Sequence, residues 1–198
     1  MVELNRYTAR MLQLKRCVLA ISIAAVVACG GKKDDKPTGG SGGAAPKPAA
    51  AVELASTADP AGVTWTSLEQ PWGTVEIPTG DGWEMVEGQL QGKDGTVVML
   101  QAQGNITPDL IDDYLVSYED VQKRDAPKYA GKGNTRGTVS GAPAVRVEGT
   151  FDNGTRFVTR DYLLFTKGQV VLLSARAPEP GAALAGVIDH MARSAKVK

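Results

Sequence analysis

The chain has few of the residues that most often carry chemistry. It contains one histidine, His190, and two cysteines, Cys17 and Cys29, among its 198 residues. No H-E-x-x-H, C-x-x-C or phosphate-binding loop motif occurs, so a histidine-type general base or zinc ligand would have to be His190 alone. His190 lies within a helical pattern and is predicted to occupy the surface or rim of that helix. The sequence argues against an enzyme and predicts neither a metal site nor a cofactor.

The chain also lacks an excess of one charge. It has 22 Lys and Arg against 22 Asp and Glu. Its first 28 residues hold four basic residues and one acidic residue, so the remainder carries 18 basic against 21 acidic residues, a net charge near −3. A nucleic-acid partner requires a basic patch or stripe on the protein. The sequence therefore predicts no nucleic-acid partner.

A short apolar run follows a basic segment at the N-terminus. The run from Cys17 to Ala28 is 12 residues long. As a helix it would rise about 18 Å, whereas the hydrocarbon core of a bilayer is about 30 Å thick. Residues 1–28 are therefore predicted to be a signal peptide, with Met11 as an alternative start. The basic residues that precede the run are Arg6, Arg10, Lys15 and Arg16.

The run ends in the most specific motif of the chain. Val26-Val27-Ala28-Cys29 resembles the lipobox of bacterial lipoproteins, in which two aliphatic or small residues and a small residue precede a cysteine. The resemblance implies that the Cys29 sulfur receives a diacylglycerol, that cleavage precedes Cys29, and that two or three acyl chains hold the protein on a periplasm-facing membrane surface. Gly30 stands where an aspartate retains some lipoproteins in the inner membrane, which favours the outer membrane. The alternative is a buried structural cysteine in an N-terminal helix.

The composition changes twice after this motif. Residues 29–62 comprise Cys29 and a stretch rich in Gly, Ala, Pro, Lys and Ser, without the spaced large apolar residues that would offset the entropy of ordering. They are predicted to form a flexible tether. Residues 63–198 hold all three tryptophans and are long enough for one core, so they are predicted to form a single domain.

The domain alternates strand and helix patterns. Gly73 to Pro78, Trp83 to Gln91 and Thr96 to Gln101 are predicted strands separated by turn-rich segments. Thr107-Pro108-Asp109 is a helix-start signal, and the residues that follow it repeat at helical spacing. A second amphipathic helix is predicted from about Gly181 to Ser194. Their apolar stripes are Leu110, Ile111, Tyr114, Leu115, Tyr118 and Val121 in the first helix, and Leu184, Val187, Ile188 and Met191 in the second.

Two tight turns between these helices predict a hairpin meander. Asn153-Gly154 is the preferred two-residue loop of a type I′ hairpin. That loop would place Phe151 opposite Arg156, Val147 opposite Arg160, Val145 opposite Tyr162 and Arg146 opposite Asp161. A second turn at Lys167-Gly168 would pair Leu164 with Val171 and Leu163 with Leu172. The strand from Arg156 to Phe165 is then central, with both of its faces covered.

The predicted fold is α+β: an antiparallel meander with one inserted helix and one C-terminal helix. The order of elements resembles the Mog1/PsbP-like α/β/α sandwich domains, which include DcrB-like and LpqN-like lipoproteins. The residues that carry the resemblance are Val75-Glu76-Ile77-Pro78 with Gly82-Trp83, the helix after Pro108, and Ser140 to Arg146 with the hairpins that follow. The family offers no shared catalytic set, and its members look like accessory and binding modules. A cystatin-like or NTF2-like curved sheet is the alternative fold.

Several residues are candidates for a site. Trp72 and Trp83 are more typical of a core, but exposed together they would form a recognition surface. A weak Ca²⁺ site at Asp109, Asp112 and Asp113 competes with the simpler explanation that carboxylates stabilise a helix N-terminus. The segment Gly131 to Gly137 is more typical of a solvated loop than of a phosphate site.

The function predicted from these observations is a lipid-anchored, non-catalytic binding or accessory module with a membrane and an unidentified protein as partners. One alternative is capture of a small apolar ligand between sheet and helix, in a cavity that Tyr114, Tyr118 and Trp83 leave unfilled. A less favoured alternative is a hydrolase that uses carboxylates such as Asp161 or Glu148, which would require a carboxylate pair with displaced pKa values in a deep pocket.

Overall fold

The structure, a computed structural model, describes residues 51–80, 82–104, 106, 110–166 and 168–198. Within these ranges ten strands and two helices follow one another along the chain. They are β1 (Thr64–Gln70), β2 (Gly73–Thr79), β3 (Trp83–Val86), β4 (Gln89–Gly92), β5 (Val97–Gly104), α1 (Ile111–Asp125), β6 (Ala130–Val139), β7 (Ala142–Asp152), β8 (Arg156–Phe165), β9 (Gln169–Pro178), α2 (Leu184–Ser194) and β10 (Lys196–Val197).

The strands form two antiparallel sheets. The larger has seven strands in the order β3-β4-β5-β9-β8-β7-β6, and the smaller has the order β1-β2-β10. The chain builds one edge of the large sheet, passes through α1 to the opposite edge, and returns by hairpins until β9 pairs with β5. The predicted antiparallel meander with one inserted and one C-terminal helix is confirmed.

Both faces of the large sheet are covered. On the α1 face, α1 packs over the apolar ends of β7, β8 and β9, where Leu163 and Phe165 are buried. On the opposite α2 face, Tyr162 and Leu164 belong to a larger core with α2 and the small sheet. The predicted central position of β8 is confirmed, and so is the pairing of Leu164 with Val171. Coverage on both faces favours the sandwich over the curved-sheet alternative.

The C-terminal helix packs as its sequence pattern predicts. The four apolar residues of its predicted stripe are each at most 4% exposed, so the stripe lies in the core. Burial of one such side chain contributes about 1.5–3 kcal/mol. The stripe consists of Leu184, Val187, Ile188 and Met191.

The first part of the fold was assigned wrongly to the tether. Of the predicted tether the structure describes residues 51–62, and within them Leu54 and Ala55 are 1% and 2% exposed. The backbone of Leu54 donates to the Thr138 carbonyl at 2.9 Å, so this segment pairs with the edge of β6. Gly137 permits the approach, because a β-carbon there would overlap the Val52 carbonyl oxygen. Leu54 is the large apolar residue of the segment that enters the core.

The predicted register of the β7–β8 hairpin is also wrong, by one residue. Phe151 lies opposite Phe157 rather than Arg156, and Arg146 lies opposite Tyr162 rather than Asp161. Val147 is paired with Asp161 and Val145 with Leu163. The loop between the paired ends Asp152 and Arg156 has three residues, and Gly154 takes φ +105° within it. A three-residue loop with a left-handed glycine is a common alternative to the two-residue turn.

Other boundaries differ in smaller ways. The predicted strand from Trp83 to Gln91 is two strands, joined by a turn at Glu87 and Gly88 with positive φ at both positions. The small sheet of β1, β2 and β10 was not predicted as a separate layer. The helix-start signal Thr107-Pro108-Asp109 lies outside the described residues. Neither helix of the described ranges has the length and apolar character needed to cross a membrane.

Candidate binding site

A buried carboxylate lies at the centre of the α1 face. Asp161 is 2% exposed and lies between Val147 of β7 and Ser174 of β9. The Tyr118 hydroxyl on α1 donates to Asp161 Oδ2 at 2.7 Å. The other oxygen, Oδ1, is buried and has no hydrogen-bond partner among the described residues. The carboxylate is thus half satisfied inside the protein.

Burial dominates the electrostatics of this group. It raises the pKa of Asp161 to about 6, while the nearby Ser174 and Tyr118 hydroxyls and the Ala175 amide pull the pKa the other way. Burial also lowers the pKa of Arg176 on the same face, and the charge of Asp161 opposes that shift. A charged form is costly here because few groups solvate it.

Three tyrosines lie on the same face as the carboxylate, and one of them, Tyr118, contacts it. Burial raises the pKa values of Tyr114 and Tyr129 to about 12, and the negative charge of Asp161 contributes to both shifts. The same two causes, burial first, raise the pKa of Tyr118 well above its ordinary value. Tyr114 donates to Gln103 Oε1 at 2.7 Å, which holds α1 against β5. The three tyrosines therefore stay neutral near pH 7, and the negative charge that acts on all of them is that of Asp161.

A crevice of about 180 Å³ opens beside this cluster, between α1 and the β6–β7 edge. Tyr129 forms one wall: its ring lies against the backbone of Gly149, where a β-carbon would come within 2.8 Å of the ring. Glycine at this position is therefore required for the wall. The lining residues are Leu115, Tyr118, Glu119, Tyr129, Gly131, Gly133, Asn134 and Val147.

The α2 face carries a second buried aspartate in a different setting. Asp189 is 0% exposed, and its Oδ1 accepts from the Tyr162 hydroxyl at 2.7 Å and from Arg160 Nη1 at 3.1 Å. Its Oδ2 accepts from the backbone N–H of Thr57 at 2.9 Å. Arg160 is held in turn by Glu148, whose Oε1 lies 2.8 Å from Nη2. Both oxygens of Asp189 have partners, and the residue joins residues 51–62, the first segment of the fold, to the core.

His190 also binds that first segment. Its ring stacks on Trp65 with centroids 3.6 Å apart. Nδ1 lies 2.9 Å from Asp59 Oδ2, and Nε2 lies 2.8 Å from Glu76 Oε2. The hydrogen bond to His190 is the largest cause that lowers the pKa of Asp59. His190 is at the rim of its helix, as predicted, but its partners give it a structural role between β1, β2 and the first segment.

The predicted site residues are not brought together. Cys29 lies outside the described residues. Trp72 is 5% exposed and belongs to the core of the α2 face, and Trp83 packs partly buried against the same core. A recognition surface of Trp72 and Trp83 is therefore contradicted, since the core of a small domain recruits its largest aromatic side chains.

The candidates for chemistry are likewise separated. Asp161 and Glu148 lie on opposite faces of the large sheet, so the carboxylate pair that a hydrolase would need does not form. Asp112 forms an ion pair with Arg136, while Asp109 lies outside the described residues. Gly131 to Gly137 belongs to strand β6 rather than to a loop, with a bulge between Gly131 and Gly133.

Two features of the site were missed from the sequence. Asp189 follows two buried residues of the α2 stripe. A carboxylate in that position indicates a buried hydrogen-bond or ion-pair partner, because an unpaired buried charge is costly. Tyr129 stands alone between a helix and a strand in the sequence, and nothing local indicates that it packs on Gly149.

Fold and site together define an α+β sandwich domain with a small crevice beside a buried polar cluster. In sequence, no protein-family model and no curated protein matches the chain. Solved structures that are similar to it include LpqN of Mycobacterium tuberculosis, which is involved in cell envelope biogenesis, with a TM-score of 0.46 and 16% identity over 69% of this chain and 92% of that chain.

Two further structures show likenesses of the same size. The Ran-binding protein Mog1p of Saccharomyces cerevisiae has a TM-score of 0.49 and 13% identity, over 69% of this chain and 96% of that chain. A cyanobacterial PsbP from Synechocystis has a TM-score of 0.49 and 13% identity, over 69% of this chain and 92% of that chain. At such identities none of these likenesses assigns an activity, a partner or a site to this chain.

Proposed function

We propose that the protein is a lipid-anchored, non-catalytic binding or accessory module that faces the periplasm. The observation that carries the proposal is the Val26-Val27-Ala28-Cys29 motif directly after a short apolar run. Lipid on Cys29 would supply two or three acyl chains, enough for stable membrane attachment. Gly30, in place of an aspartate, favours the outer membrane as the site of attachment. The partner of such a module is a protein of the same envelope surface.

The fastening of the first segment supports this arrangement. Arg193 donates to the carbonyls of Ala55 and Thr57 at 2.7 and 2.9 Å, and Arg146 donates to the Leu54 carbonyl at 2.9 Å. Only 21 residues separate Cys29 from residue 51, the first residue that the structure describes. A flexible chain of that length has a root-mean-square span of about 25 Å and a maximum reach of about 70 Å. The module would therefore work close to the lipid surface.

The anchor is tested by two matched cysteine variants of the full precursor. Cys29→Ser is expected to lose incorporation of labelled palmitate and to leave the membrane fraction. Cys17→Ser removes a thiol from the predicted signal peptide and is expected to change neither property. If Cys29→Ser still fractionates with membranes at unchanged mass, the protein is not a lipoprotein.

A second candidate function, binding of a small ligand, is favoured by the crevice beside Tyr118 and Tyr129. The crevice is below the range of about 300–1,000 Å³ that is typical of sites for drug-sized ligands. A ligand of a few heavy atoms would fit it. Equilibrium dialysis of the purified protein against small metabolite mixtures would test this function, and recovery of no retained compound would contradict it.

A further inference from the structure

We propose that the crevice between α1 and the β6–β7 edge binds the ammonium group of a small organic cation. The inference rests on the proposed small-ligand function and names the chemistry of the ligand. It follows from the shape of the crevice, the aromatic walls and the sign of the charges around it.

The walls supply aromatic and apolar surface. Tyr118 and Tyr129 line the crevice together with Leu115 and Val147. The face of an aromatic ring attracts a cation within about 6 Å, and this attraction is largest where water is excluded. The Tyr129 ring packs against the backbone of Gly149 and forms one side of a cage.

Two carboxylates lie at the crevice or behind it, and their cationic neighbours are Lys123 at the rim and Arg176 on the same face as Asp161. Glu119 is the charged residue that lines it, and no basic residue is among the lining residues that the structure describes. Asp161 lies directly behind Tyr118 and Val147. Burial is the main cause of the raised pKa of Tyr129, and the negative charges of Asp161 and Glu119 add to it. The charged group in direct contact with the crevice is therefore a carboxylate, which favours a cationic over an anionic ligand.

The ion pair at the rim does not block a ligand. Lys123 Nζ lies 3.0 Å from Glu119 Oε1, but both side chains are more than half exposed. Exposed pairs of this kind contribute little to stability, so a ligand ammonium can replace Lys123. A bare Ca²⁺ ion would need six to eight oxygen ligands. The lining offers the carboxylate of Glu119 and the amide of Asn134, which suits an organic ammonium better than a metal ion.

The test uses three ligands and the full-length protein in a maltoside detergent. Choline carries the cation, and 3,3-dimethylbutan-1-ol has the same shape without charge. Calorimetry and the amide resonances of Gly131 and Asn134 are expected to show millimolar binding of choline and at least about tenfold weaker binding of the alcohol. Equal binding of the two, or binding of neither, would overturn the ammonium site.

The third ligand, glycerophosphocholine, decides the source of the cation. Binding as strong as that of choline would point to a lipid headgroup, and weaker binding to a free cation. Either result supports the ammonium site.

Matched variants separate the cage from mere folding. Tyr129→Phe keeps the ring and is expected to retain choline binding, whereas Tyr129→Leu is expected to weaken it about fivefold. Glu119→Gln is expected to weaken binding, and Asp120→Asn, the same charge change one residue further along α1, is expected to have no effect. Equal losses in Tyr129→Phe and Tyr129→Leu, or in Glu119→Gln and Asp120→Asn, would contradict the assignment. The membrane attachment of the protein does not depend on these results, so failure here leaves the anchor proposal untouched.

Discussion

The two faces of the large sheet each bury one aspartate, and the two differ in how they are satisfied. Asp189 on the α2 face has partners for both oxygens: the Tyr162 hydroxyl, the Arg160 guanidinium and the Thr57 amide. Asp161 on the α1 face has one hydrogen bond, from Tyr118, and an oxygen without a partner among the residues described. A buried polar group costs free energy unless it is paired.

The difference separates a structural role from a functional one. The network around Asp189 joins α2, β8 and the first segment, and it explains why residues 51–62 belong to the fold. The cluster around Asp161 joins α1 to β8 through a single hydrogen bond and lies beside the crevice. Features that reduce stability without a structural gain concentrate at functional sites. The α1 face is therefore the place to look for binding.

The largest expected effect is the loss of the α2-face network. Asp189→Ala leaves the half-buried Arg160 without its more buried partner and the buried Tyr162 hydroxyl without its carboxylate acceptor, and such a loss costs about 3–5 kcal/mol. Urea unfolding of the purified protein measures the change in the free energy of unfolding. Glu148→Ala is the control, because Glu148 is one-third exposed and Arg160 would keep Asp189. A loss below about 1 kcal/mol in Asp189→Ala would show that the network does not hold the fold.

The next effect concerns the first segment itself. Leu54→Ala removes a side chain that is 1% exposed in the α2-face core, and truncation of a buried leucine costs about 2–5 kcal/mol. Val52→Ala is the matched control two residues earlier, where the side chain is 61% exposed and the expected change is within about 0.5 kcal/mol. If both variants unfold at the same urea concentration as the parent, the segment is a tether after all.

The sequence predicted the elements that local patterns specify. The stripe of α2, the pairing of β8 with β9 and the central position of β8 follow from periodicity and turn chemistry. The register of the β7–β8 hairpin does not, because Asn153-Gly154 is compatible with a loop of two or of three residues. The extra loop residue decides which residue lies opposite Asp161, since a register shift of one residue exchanges the two faces of a strand.

The site was less predictable than the fold for the same physical reason. The predicted register paired Asp161 with Arg146, whereas in the structure Arg146 lies opposite Tyr162 and Asp161 accepts from Tyr118, 43 residues earlier in the chain. The Leu54 segment packs on Thr138 across more than 80 residues of sequence. No local pattern specifies such contacts, because they form between segments that are distant in sequence and depend on how the complete sheet is assembled.

On the α1 face, removal of the Asp161 charge is expected to increase the free energy of unfolding. The folded-state pKa of Asp161 is about 6 against an ordinary value of 3.8, so the folded protein holds the proton more tightly. Stability therefore falls as pH rises from about 4 to about 6, by about 3 kcal/mol at most. Asp161→Asn is expected to gain about 1–3 kcal/mol at pH 7 and little near pH 4.

Urea unfolding at several pH values checks this prediction. Asp113→Asn, an exposed carboxylate on the same helix that covers the site, is the control and is expected to leave the pH profile unchanged. A clear loss of stability in Asp161→Asn at pH 7 would mean that the carboxylate is needed in its charged form, contrary to the contrast with Asp189.

The smallest expected change in stability comes from removal of the hydrogen bond that Tyr118 donates to Asp161. Tyr118→Phe removes the hydroxyl that donates to Asp161, and Tyr114→Phe removes the one that donates to Gln103, a neutral acceptor. At pH 8, where Asp161 is charged, Tyr118→Phe is expected to cost about 1.5 kcal/mol and Tyr114→Phe about 1 kcal/mol or less. At pH 4 the cost in Tyr118→Phe should fall towards that in Tyr114→Phe, because the protonated carboxyl is a weaker acceptor. If both variants lose the same free energy of unfolding at both pH values, the Tyr118 hydroxyl does not donate to a group that titrates between pH 4 and pH 8, which would contradict its hydrogen bond to Asp161.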